Sequence, residues 1–351
     1  MIQGLFSING QVATIQNQTT ALGYDYPYYY RLYNDSGYSH TAKDLNGVYC
    51  VNDGEYLIGV FNGDTSGTKL EVLYDNAAHA GGMFNQCSNL NYIPDNCLNN
   101  VITGAWMFAD CDSLQEVPSS CLKQVINARS MFHGCTSLTS IPTFDNLVHA
   151  HDMFYLCNSL TSIPDYSFNK VNYALDMFSH CSGLKTIPEH CFSSLASGEG
   201  MFEHCTQLTS VQCNFPVLTD ANSMFIDCAS LKNITNFHLD NVISANYMFK
   251  NCFNLSAIDP TKFNNVKAAR QMFANCSSYY FKTFNATAGF NNVKDVRGMF
   301  SGCRYLNINA MDFIRAHSAT VTANQGCFYL TNIADYYDVF NSQYKSWVTS
   351  A

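Results

Sequence analysis

Sixteen cysteines give this chain of 351 residues its greatest chemical reach, since thiols can pair as disulfides, hold metal or act as nucleophiles. Ten of them stand four residues after a Met-Phe pair: Cys87, Cys111, Cys135, Cys157, Cys181, Cys205, Cys228, Cys252, Cys276 and Cys303. Neighbours one copy apart would satisfy the Cα separation of a disulfide, but parallel Cβ vectors pointing into a core do not suit the bridge. The expectation is a ladder of reduced, buried thiols acting as small hydrophobes. Cys97 and Cys121 share a second repeat position, where one bridge remains open, and Cys50, Cys191, Cys213 and Cys327 have no evident partners. So many unpaired thiols suit folding in a reducing cytosol.

His180 and His204 each precede a ladder cysteine in successive copies, with Asp227 next in line. Two imidazoles and a carboxylate are a zinc donor set. Flanking copies place Leu156 and Asn251 at the same point, so the position is read as one that tolerates polar residues; no metal and no other cofactor is expected. The sequence shows no Gly-rich phosphate loop, Gly-x-Ser-x-Gly elbow, His-Glu-x-x-His or spaced Cys-x-x-Cys pair.

The elements that position these residues follow from the repeat itself. Met-Phe recurs from Met83 to Met299 at intervals of 22 to 27 residues, mostly 24. Leu follows most ladder cysteines by three residues and Ile or Val follows that Leu by three, while Ala128, Ala150, Ala174, Ala221, Ala245 and Ala269 lie three before Met. The unit reads F-x-x-V-x-x-A-x-x-M-F-x-x-C-x-x-L-x-x-I-P. An apolar residue at every third place fits neither a sustained helix nor an alternating strand, but fits a coil that turns corners. About ten coils are expected, with a short strand at L-x-x-I, another at V-x-x-A and a helical turn at M-F-x-x-C. Copies must stack to share one core.

The motif, as in Met131-Phe132-His133-Gly134-Cys135-Thr136-Ser137-Leu138-Thr139-Ser140-Ile141-Pro142, resembles the BspA-like leucine-rich-repeat proteins of bacterial surfaces over about residues 77–310. That resemblance implies a leucine-rich-repeat-like solenoid used for adhesion or protein binding.

Residues 1–75 lack the repeat. They read as a small β-rich capping or attachment unit, with Glu55–Phe61 and Lys69–Tyr74 flanking Asn62-Gly63-Asp64 as a hairpin signal. The repeat region spans 76–328, ending in a degraded copy at Gly326-Cys327-Phe328. Residues 329–351 place Ile333, Tyr336, Tyr337, Phe340, Tyr344 and Trp347 at helical spacing, as a C-terminal capping helix would.

Only 13% of residues are charged and the formal net charge is -9, which disfavours nucleic acid as a partner. No run approaches the apolar length of a membrane span, and the opening residues, whose first basic side chain is Arg31, do not read as a secretory signal. Candidate binding residues are the variable pair between the buried Leu and Ile of each coil, forming a stripe through Tyr92, Glu116, Ser140, Ser162, Thr186, Ser210 and Asn233. A second candidate is the aromatic patch Tyr26, Tyr28, Tyr29 and Tyr30, able to stack on sugars or anchor a protein, with a packed strand as the alternative. The expected activity is non-catalytic recognition of a protein or glycan on a cell surface. A bacteriophage virion protein, docked through residues 1–75, reconciles external work with reduced thiols; a bacterial cell-surface adhesin and a carbohydrate-active enzyme are the alternatives.

Overall fold

In the computed structural model the described residues are 5–8, 11–16, 31–33, 39–40, 48–52, 57–61, 80–331 and 342–349, apart from 83, 87, 89, 94, 97, 233, 235–238, 257, 280–288 and 307–309. The chain divides into two compact units, Met1–Val171 and Asn172–Ala351.

The first unit opens with β1 (Leu5–Ile8), β2 (Gln11–Gln16), β3 (Arg31–Tyr33) and β4 (Ser39–His40), an antiparallel sheet in sequential order. A separate antiparallel pair joins β5 (Val48–Asn52) to β6 (Leu57–Phe61), with Cys50 opposite Gly59. The expected strand at 57–61 is therefore present, and its observed partner lies upstream; Lys69–Tyr74, the partner read from the hairpin signal, falls outside the described residues. The coils follow from Ala80.

Each coil is a chain of tight turns. Around Met131, N–H groups donate to the carbonyl three residues back: Met131 to Ala128, His133 to Ser130, Cys135 to Phe132 and Leu138 to Cys135, all at 3.1 Å. Turns closed at that interval bring every third side chain to the same side, which accounts for the period of the apolar residues. The residue before each Met and the one three after it take left-handed backbone, as in Asp152 (φ 52) and Leu156 (φ 63). That conformation costs an L-residue about 1–2 kcal/mol. It also aims alternate N–H groups along the stack: Gly104 donates to Asn127 (2.9 Å), Trp106 to Arg129 (2.9 Å), Phe108 to Met131 (2.8 Å) and Asp110 to His133 (2.7 Å). Four backbone bonds per coil, each worth about 1 kcal/mol net, offset the strain.

This corrects the helical turn read at M-F-x-x-C. A helix keeps its N–H groups for the carbonyl four residues back, whereas here half of them serve the neighbouring coil. The expected strands are present in very short form. In the first unit they are parallel bridges, Glu116 to Ser140 on the L-x-x-I side and Thr103 to Asn127 to His149 on the V-x-x-A side. The second unit pairs β7 (Thr186–Ile187) with β8 (Ser210–Val211) in parallel and continues the other bridge from Tyr173 to Ala323. Pro188 ends β7, where a residue without an N–H cannot extend the ladder.

Inside the coils, phenylalanines stack ring on ring. Phe108, Phe132 and Phe154 lie 5.4 and 5.5 Å apart in the first unit. In the second, the column from Phe178 through Phe202, Phe225, Phe249, Phe273 and Phe300 to Phe328 keeps 5.5–5.7 Å. Met, Cys, Leu and the small residue three before Met complete a core that is almost wholly closed to solvent. That position stays small because the Met of the next coil reaches over it: a Cβ on Gly198 would lie 3.1 Å from the Met224 methyl.

At the C-terminal end the α-helix, α1 (Ala310–His317), precedes the last copy. Residues 342–347 form a 3-10 helix, and residues 332–341, on which most of the expected capping helix falls, lie outside the described set. The segment continues the backbone ladder: Gly326 donates to Ser346 and Phe328 to Trp347, both at 2.8 Å. Trp347 thereby fills the place of a Met in one further coil, against Phe328 and Phe313. Among the described residues no helix is long and apolar enough to cross a membrane.

Candidate functional site

The thiol ladder is a structural device. Every described cysteine side chain, Cys121 among them, is buried and joined in no disulfide, and Cys97 lies outside the described residues. Eight ladder Sγ atoms donate to the carbonyl of the Phe in the preceding coil: in the first unit Cys111 to Phe84 and Cys135 to Phe108 at 3.0 Å and Cys157 to Phe132 at 3.1 Å, and in the second Cys205, Cys228, Cys252, Cys276 and Cys303. Of these, Cys228, Cys252 and Cys276 reach Phe202, Phe225 and Phe249 at 3.1 Å. Only a protonated thiol can donate. Burial holds it so, pushing Cys135, Cys205, Cys252 and Cys276 well above the ordinary thiol range, with neighbouring cysteines reinforcing the shift. Such thiols are poor nucleophiles and poor metal ligands. The sequence showed the ladder but not its acceptor; the fixed Cys-to-Phe interval across copies was the available signal.

Cys327 stands in a different column. Gly326 has φ 65 and Leu330 φ 55, so Cys327 occupies the Met place of its copy, with Phe328 as the stacked ring.

The polar column three after Met gathers His180, His204, Asp227, Asn251 and Asn275 in the second unit. The imidazoles of His180 and His204 stack at 4.3 Å and 22°. His204 Nε2 lies 3.4 Å from Glu203 Oε1 and 3.7 Å from Asp227 Oδ2. Asp227 Oδ1 accepts from Asn251 Nδ2 at 2.7 Å, and Asn251 Oδ1 from Asn275 Nδ2 at 2.8 Å. Burial, with the adjacent His204, lowers the His180 pKa; burial also raises that of Glu203. Near-parallel rings direct their nitrogens side by side rather than to one point. Among the described residues no group of three His, Cys, Asp or Glu is placed to hold a metal ion.

Asparagine supplies further columns that the sequence reading missed. Asn222 Oδ1 accepts from the Ser244 hydroxyl (2.7 Å) and the Asn246 N–H (2.9 Å), and Asn246 Oδ1 accepts from the Arg270 N–H (2.9 Å). A side chain that bonds the next coil's backbone needs the same short amide at each step, visible in sequence only as Asn recurring two before Met.

The candidate stripe is held on rigid backbone. In the first unit Tyr92, Glu116, Ser140 and Ser162 are exposed, and Thr139 N–H donates to Gln115 C=O at 2.8 Å. In the second, Thr186 is exposed, Ser210 is half-buried, and Thr209 N–H donates to Lys185 C=O at 2.9 Å. Asn233 and the patch Tyr26, Tyr28, Tyr29 and Tyr30 lie outside the described residues. In each unit the stripe residues are short polar side chains, joined in the first by Tyr92 and Glu116, and are suited to hydrogen bonding.

A family described as "Mycoplasma protein of unknown function, DUF285" matches residues 74–144, 102–215 and 200–313. The chain belongs to this family. The matches of the DUF285 chain cover the coils. No curated protein matches it by sequence. Among solved structures it is similar to a leucine-rich repeat protein from Eubacterium ventriosum at 19% identity, covering 49% of each chain with a TM-score of 0.38. The DUF285 chain thus spans about half the length of that protein. A T. pallidum leucine-rich repeat protein is 23% identical, with 59% and 86% covered and a TM-score of 0.37. A leucine-rich cell surface protein from Faecalibacterium prausnitzii is 18% identical, with 74% and 79% covered and a TM-score of 0.41. All three are bacterial leucine-rich repeat proteins, the group that M-F-x-x-C-x-x-L resembles.

Proposed function

We propose that this protein is a non-catalytic recognition protein whose outward columns bind a protein or glycan on a cell surface. One observation carries the reading: the residues that recur in every coil are consumed by packing and coil-to-coil hydrogen bonds, so variation is confined to side chains that face outward. A stack of such columns is the usual recognition surface of repeat proteins. The proposed contacts are the stripe residues within each unit, Tyr92 to Ser162 in the first and Thr186 with Ser210 in the second.

The proposed site of action is a virion surface, with residues 1–75 as the attachment unit, the coils at 76–328 as the recognition unit and 329–351 as the cap. The unbridged, protonated thiols support folding in a reducing cytosol, and particle assembly followed by host lysis would carry a cytosol-folded protein outside. A bacterial cell surface is the second reading, favoured by the adhesive role that the motif implies. Mass spectrometry separates them: the chain should be found in purified virions, and its recovery only from bacterial envelope fractions would establish the second reading instead. For binding itself, a chain carrying Glu116→Lys and Thr186→Lys should lose retention on bacterial envelopes; unchanged retention would exclude the stripe.

A further inference from the structure

Away from the stripe, a groove of about 470 Å3 crosses consecutive coils of the second unit. One wall is Val217, Asn241, Asn265 and Asn292; the other is Thr219, Ile243 and Lys267. These walls are two columns of the repeat, seven and five residues before each Met, so the groove advances one coil at a time. Its asparagines are oriented by the fold. Asn241 Nδ2 donates to the Pro216 carbonyl at 2.7 Å, Asn265 to Asp240 at 2.6 Å and Asn292 to Asn264 at 3.0 Å. With one N–H committed, each amide has its second N–H and its Oδ1 left for a ligand, a donor and an acceptor side by side at each of three successive coils.

Basic residues gather toward the C-terminal end of this groove. Residues 262–304 carry seven basic residues against one acidic, in a chain whose formal net charge is -9. The acidic one, Asp295, is engaged by Arg297 at 2.6 Å, and Asp240 nearby is met by Lys262 at 3.7 Å. Lys267 and Lys294 occupy the same column in adjacent coils, both exposed, and no ion pair joins either to an acidic side chain among the described residues.

We propose that this groove binds a linear anionic glycan. Sugar hydroxyls, which donate and accept together, match the asparagine column; Val217 and Ile243 offer apolar contact for the C–H faces of the rings; and Lys267 with Lys294 receives a carboxylate or sulfate. Nucleic acid fits less well, because none of the residues lining the groove offers an aromatic ring on which bases could stack. The inference rests on the recognition reading above but not on the stripe, which lies in another column.

The test uses the full chain against immobilised polygalacturonate, heparin, neutral dextran and duplex DNA. Retention on polygalacturonate shows that a carboxylate suffices, and retention on heparin alone points to sulfate; either, with dextran not retained and added salt weakening the binding, supports the proposal. Lys267→Gln and Lys294→Gln should each weaken binding about tenfold, the loss of one charge-assisted hydrogen bond, while Lys267→Arg retains it. Both lysines are exposed, so thermal melting of each variant should match the parent. Undiminished binding by the double variant, tighter binding to DNA than to either glycan, or no binding to any of the four would overturn the proposal. The last result would leave envelope retention through the stripe untouched, so the two readings fail separately.

Discussion

Raising the pH should unfold this protein at a point set by its thiols. Eight buried cysteines, Cys135, Cys205, Cys213, Cys228, Cys252, Cys276, Cys303 and Cys327, have their pKa raised above the ordinary value of 9.0, in every case chiefly by burial. A group whose pKa is higher folded than unfolded contributes stability that is full below the unfolded value and is lost as pH climbs past it, because the unfolded chain releases the proton first. Each such thiol removes about 1 kcal/mol per pH unit above 9. Together they remove on the order of 10 kcal/mol by pH 10, comparable to the whole stability of a typical domain. Urea unfolding at 25 °C, followed by the fluorescence of buried Trp347 and by far-ultraviolet circular dichroism, should show stability steady from pH 7 to about 8.5 and collapsing near pH 10. A triple variant, Cys228→Ala, Cys252→Ala and Cys276→Ala, should be weaker at pH 7, since three carbonyls lose a donor, yet shallower in its alkaline fall. A parent chain whose stability is flat to pH 10.5, or a triple variant with the parent's slope, would refute the account of the ladder.

Three further outcomes follow from the packing. Phe178→Ala removes a ring stacked on Phe202 at 5.7 Å and set edge-on to Phe192 at 6.3 Å; it should cost about 3–5 kcal/mol by urea unfolding, with hydrogen exchange rising first in adjacent coils. Gly200→Ala should cost at least about 1–2 kcal/mol by the same measurement, because Gly200 has φ 60 and its new Cβ would press on the Asp176 carboxylate. Thiol labelling of the native chain should leave the ladder unmodified, and labelling in urea should modify it fully; disulfide-linked peptides from adjacent coils would contradict the unbridged thiols.

The repeat, its period and its core were legible in the sequence because every coil repeats the same packing problem, and Phe, Met, Cys and Leu answer it at the same places. Burial of Met131, Phe132, Cys135 and Leu138 follows from the spacing alone. The path between them did not. Tight turns with left-handed residues at Asp152, Leu156, Asp176 and His180 left only a partial mark, the Gly, Asp, Asn and His that stand three after most Met residues and suit positive φ, because Gln86 and Leu156 take the same backbone and there the shared backbone bonds impose it. At the C-terminal end Trp347 supplies a ring to one further coil through backbone hydrogen bonds that its spacing in the sequence does not display. As for the site, the stripe was readable as variable positions between fixed ones, whereas the groove needed structure, because its walls combine residues from successive coils that only stacking brings together.

The central claim is that this protein recognises its ligand and does not transform it. Incubating the purified full chain with a panel of bacterial and acidic polysaccharides, and measuring both retention and released fragments, tests that claim directly. The account predicts retention of at least one polymer with its chain length unchanged. Shortened polymer, or fragments accumulating in proportion to time and to protein added, would contradict it.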